Sequence, residues 1–202
     1  SQPVRLQLTP GARIGILNVL EQDMTHVHVG ALRIDSFTNV YPVDWDLPAY
    51  LNRTIENDLR AHGSYTLIPL AVNADAGRKR SIAEDITRTL NTWMPRGLRA
   101  YLEQVVEENR LDAVISVSSY NSRTWEGDVC FTIGKDHVVS TQGYGLFTRA
   151  RLLSGLSGRL PIGRNQAAPF ADILVAVFEP RPPALAAFAA ASCSQETLAD
   201  VP

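Results

Sequence analysis

Lysine is nearly missing from this 202-residue chain, whose 19 basic residues are 17 arginines and 2 lysines. That bias reads as genomic composition before it reads as function. Against 21 acidic residues the formal net charge is −2, so the basic excess of a nonspecific nucleic-acid binder is absent. The chain has two cysteines, Cys130 and Cys193, too few for a disulfide-rich scaffold or a four-cysteine zinc site. One bridge and two unpaired thiols remain equally open. No apolar run reaches the roughly 18–20 residues that span a bilayer; the longest are 14–20, 172–178 and 184–191. Phosphate-binding loops of either glycine-rich type are lacking. The nearest approach to a serine nucleophile elbow, Gly155-Leu156-Ser157-Gly158, has the wrong spacing. No cofactor is expected.

What remains is ordinary globular material. Apolar residues make up 45% and charged residues 20%, enough to bury a core and avoid disorder. The length suits a single domain over 1–202, with its core at about 12–179 and a C-terminal helix and tail at 180–202. The near-continuous apolar run at 12–21 predicts a strand covered on both faces. Alternation at 25–34 predicts a half-buried strand, and 35–45 reads as an ordered loop. A helix is expected from a cap at Asp46, with a stripe of Leu51, Ile55 and Leu59 and a left-handed end at Gly63. Residues 64–72 follow as a strand whose Pro69 marks an edge or bulge.

Ser81 and Glu84 fit a capping box opening a second helix, with Ile82, Ile86, Leu90 and Trp93 at helical spacing. A further helical piece is expected at 98–109. Beyond it lie a strand at 112–122, a hairpin of 128–133 with 137–153, a loop at 154–168 and a strand at 169–179. A short alanine-rich helix at 184–192 and a loose end complete the expectation. The fold class that follows is α+β: a mixed, mostly antiparallel sheet with two or three helices packed mainly on one face.

This order of elements, with the strand Leu111-Asp112-Ala113-Val114-Ile115-Ser116-Val117 after the second helical region, resembles the amino-terminal domain of TolB. It is also similar to the CsgG-like and LpoB-like periplasmic domains. In those families two long antiparallel strands close the sheet, and 145–153 and 171–179 would be those strands here. The resemblance implies an exported bacterial cell-envelope accessory domain that binds an envelope protein or self-associates and has no chemistry of its own. Ser1-Gln2-Pro3 reads as a mature exported N-terminus, with a signal peptide removed.

Large aromatic residues suit partner anchoring, so Tyr41, Trp45, Trp125 and Tyr144 are candidate contacts. Arg149 and Arg151, two apart on one strand, would form a polar recognition edge. A rival reading is a metal-dependent hydrolase. His26 and His28 share a strand face, and Asp44 and Asp46 could add carboxylates. A third is a small-ligand sensor with a pocket between sheet and helices. Arg78-Lys79-Arg80 before a helix start could meet an anion.

Overall fold

A computed structural model describes residues 8–30, 36–72, 76–120, 131–133, 137–139, 141–151, 164–191 and 199–201. Trp125, Cys130, Cys193 and the turn at 134–136 lie outside them. β1 (Arg13–Asn18) is flanked in parallel by β4 (Thr66–Leu70) and β5 (Ala113–Ser119). Ile14, Ile16 and Leu17 are all buried, as the unbroken apolar run requires of a strand inside a sheet. β5 then pairs antiparallel with β9 (Arg164–Pro180). The first half of β9 pairs with β8 (Gly143–Arg151), which lies parallel to β2 (Met24–Val29). β2 in turn carries β3 (Phe37–Tyr41) antiparallel at the far edge. The path is therefore β3-β2-β8-β9-β5-β1-β4, a mixed sheet with three parallel and three antiparallel pairings; two further antiparallel pairings on β9 make it mostly antiparallel.

Three helices complete an α+β fold, packed mainly on one face. α1 (Leu47–His62) starts where the Asp46 carboxylate accepts from the Ala49 amide at 2.9 Å. Asn18, leaving β1, ties to it by donating to the Pro48 carbonyl and to Asn52 Oδ1. α2 (Ala76–Arg88) and α3 (Arg96–Asn109) supply Ala83, Ile86, Leu98, Leu102, Val105 and Val106 to the main core. Leu17, Val114, Leu174, Ala176 and Phe178 meet them from the strands. Among the described residues, no helix is long and apolar enough to cross a membrane.

Several local expectations change. Residues 37–41 are a strand instead of a loop, because β2 offers a free edge and Phe37, Val40 and Tyr41 suit a pleated surface. Gly63 is extended, not left-handed, and the Tyr65 ring lies against it where a side chain would project. α2 begins before Ser81, so the capping box does not form, and Trp93 falls past the helix at 74% exposure. The basic run Arg78–Arg80 accordingly lies inside α2, not before it. The hairpin narrows to β6 (Phe131–Ile133) with β7 (His137–Val139), and the rest of its expected second arm belongs to β8, which pairs with β9 instead.

The alanine-rich segment is β10 (Pro183–Ala191), antiparallel to β9, and not the C-terminal helix. An isolated helix of that length is marginal in water, while the open edge of β9 satisfies every second backbone group at once. The tail likewise contributes β11 (Ala199–Val201) to β9.

Candidate functional site

The strongest concentration of chemistry lies on one face of β3, β2 and β8. Successive residues of a strand alternate faces, so His26 and His28 project together. Register sets Asn39 and Phe37 of β3 beside them on one side, and Leu146 and Thr148 of β8 on the other. The two imidazoles converge on one hydroxyl: His26 Nε2 and His28 Nδ1 each lie 2.7 Å from Thr148 Oγ1. A hydroxyl has one proton to give. With both rings neutral it donates to one ring nitrogen and accepts from the other, which couples the two tautomers. Phe37 stacks on His28 at 4.9 Å and meets His26 edge-on at 5.3 Å. Tyr41 lies 6.0 Å from His26 between ring centres.

Burial lowers the pKa of His26, and the neighbouring His28 lowers it further. The unfolded chain then binds more protons than the folded one just below the ordinary histidine value of about 6.5. Stability from this group is complete above that value and is lost as pH falls through the depressed folded value. Urea midpoints followed from about pH 7.5 to about pH 5 should therefore drop more steeply in the wild type than in His26→Gln. Equal slopes would contradict this account.

Next to this cluster, Trp45 packs on Tyr144 at 5.2 Å between ring centres. Tyr144 is itself buried and donates its hydroxyl to the Gln22 carbonyl. Burial raises its pKa, and the carboxylates of Asp23 and Asp46 add to the rise. Tyr144 thus supports Trp45 from beneath and is not an accessible contact. The exposed aromatic residues here are Phe37 at 40%, Tyr41 at 42% and Trp45 at 46%.

The other candidates do not join them. Asp46 caps α1 and Asp44 is solvent-exposed. Among the described residues no three His, Cys, Asp or Glu side chains gather as metal ligands, so the four residues of the metal reading are not brought together. Arg149 follows Thr148, and alternation sends it to the opposite face, in register with the buried Val29. Arg151 pairs through its backbone with Arg164 at the end of β8. Trp125 lies outside the described residues.

Phe37 and Thr148 were the members that sequence reasoning missed. Phe37 lay in a segment read as loop, and the placing of Thr148 between two histidines depends on a parallel register across about 120 residues of chain. No family model, curated protein or solved structure matches the chain.

Proposed function

We propose that the chain is a non-catalytic binding domain that docks another polypeptide, a partner or a second copy, through the face bearing Phe37, Tyr41 and Trp45. The observation that carries this reading is the exposure of three large aromatic residues on and beside an edge strand whose five residues are all exposed. Aromatic side chains bury large areas with few rotamers to freeze, which is why they dominate binding hot spots. The strand itself carries no charge and no proline, the usual devices that blunt an edge. The opposite edge, β4, has Pro69. Placement in the bacterial envelope as an exported accessory domain is part of the proposal and rests on the TolB-like element order.

The test is a photo-crosslinking side chain placed at Trp45 in the producing cell, with the same group at the exposed Trp93 as comparison. Position 45 should yield a discrete adduct that position 93 does not. Phe37→Ala with Tyr41→Ala should weaken it about tenfold or more. Sedimentation of the purified chain then separates self-association from a distinct partner. Equal crosslinking at both positions, or an adduct indifferent to the double substitution, defeats the reading.

A further inference from the structure

The edges of the sheet differ in how they are protected. β4 carries Pro69, and β10 pairs with a register shift between Leu185 and Ala187. β11 is three residues long and holds Asp200. Prolines, bulges, charges and shortness all keep an edge strand from pairing with another chain. β3 shows none of these. It has five uncharged residues, Phe37-Thr38-Asn39-Val40-Tyr41, without proline, and pairs with β2 without a register shift. Its outer side leaves the N–H and C=O groups of alternate residues to a further strand.

The order of residues within β3 selects the strand that fits. Read from either end, the segment runs aromatic, β-branched, Asn, β-branched, aromatic. Two copies laid antiparallel about Asn39 set Phe37 opposite Tyr41, Thr38 opposite Val40, and Asn39 opposite itself. Aromatic pairs directly across two strands stabilise the pairing, and β-branched residues suit the pleated surface. A primary amide both donates and accepts, so two Asn39 side chains can bond to each other. A two-fold axis also sets any charge near it against its own copy, and β3 has no charge to set. A distinct partner requires no such symmetry in β3.

The aromatic residues are held ready. Phe37, Asn39 and Tyr41 share the face of His26 and His28, and Phe37 stacks on His28. A ring already fixed loses little freedom on pairing. Area sets the strength. Phe37 and Tyr41 are 40% and 42% exposed, so rings of about 150–250 Å² have roughly 60–100 Å² each left to cover. Four such rings and two five-residue strands stay below the roughly 1,200 Å² under which associations are transient.

We propose, resting on the docking reading above, that the occupant of this face is a second copy of the chain, paired β3 to β3 across a two-fold axis at Asn39. The two seven-strand paths then join edge to edge in one continuous sheet. The interface is isologous, so it closes at the dimer and does not propagate.

The experiment is sedimentation of the full chain from about 10 μM to about 1 mM, a range that reads transient association. The wild type should shift from monomer toward dimer. Asn39→Lys and Asn39→Glu each set like charges face to face at the axis, and each should weaken the dimer about tenfold or more. An equimolar mixture of the two variants sets Lys opposite Glu and should restore it. Asn39 is exposed, so both variants should keep the wild-type urea midpoint. A wild type monomeric throughout, an undiminished dimer in Asn39→Lys, or a mixture no more associated than its components would overturn the proposal. A monomeric wild type whose position 45 still crosslinks a different chain would remove the second copy and leave the docking reading standing. Equal crosslinking at positions 45 and 93 would defeat both.

Discussion

Replacing Gly145 by alanine is expected to lower stability by about 3 kcal/mol, the upper end of the usual overpacking range. The reason is local and geometric. Gly145 sits opposite Thr25 where β8 runs parallel to β2, and a methyl group there would collide with the Thr25 carbonyl oxygen. It would also come within 3.0 Å of the Phe170 ring. A side-chain end can swing aside, but a carbonyl in a sheet ladder moves only by giving up its strand pairing. Gly15 makes the useful comparison. An added methyl at Gly15 meets the buried side chains of Leu111 and Leu70 and no backbone atom, so the strand pairings need not break. Gly15→Ala should therefore cost less.

The damage from Gly145→Ala should also be uneven. β2 and β3 hang on β8, whereas α2, α3 and β5 belong to the main core. Hydrogen exchange should show β2 and β3 losing protection while α3 and β5 keep theirs. The aromatic face would be lost with them. A variant within about 0.5 kcal/mol of wild type, or one that loses protection uniformly, would refute this picture of the β2–β8 junction.

Phe178→Ala is expected to cost about 3–5 kcal/mol, the range for truncating a buried aromatic side chain. Phe178 is fully buried on β9, with Val114 of β5 as its neighbour on one side and Leu185 of β10 on the other. It joins both strand pairings to the cluster that α2 and α3 cover. The surrounding strands are held by ladders on each edge, so the cavity left behind cannot collapse easily. Ile55→Ala is the control. Ile55 lies on the apolar stripe of α1, a helix with no fully buried residue, and its loss should cost about 1 kcal/mol. Guanidinium denaturation of both variants reads the difference. Similar costs would mean that α1 and the main core bear load equally.

Elements whose signals are local were legible. The Asp46 cap, the stripe along α1, and Leu98, Leu102, Val105 and Val106 of α3 depend on residues within a turn or two. The apolar runs of β1 and β9, where Leu17, Leu174, Ala176 and Phe178 are buried, needed no partner to be recognised. Residues 184–191 show where that method stops. Their alanines favour a helix in isolation, yet the edge of β9 decides otherwise.

The aromatic face follows the same division. Tyr41 and Trp45 were identifiable as large aromatic residues in a stretch read as loop, and His26 with His28 as a pair sharing a face. That Tyr144 would be buried beneath Trp45, that Arg149 would face away, and that Thr148 would stand between two imidazoles were matters of register. Composition, periodicity and caps settled by themselves that this chain makes an α+β layer with a helical cover. Strand partners far apart in sequence decided which side chains meet, because a shift of a single residue in any pairing would turn each of them to the other face.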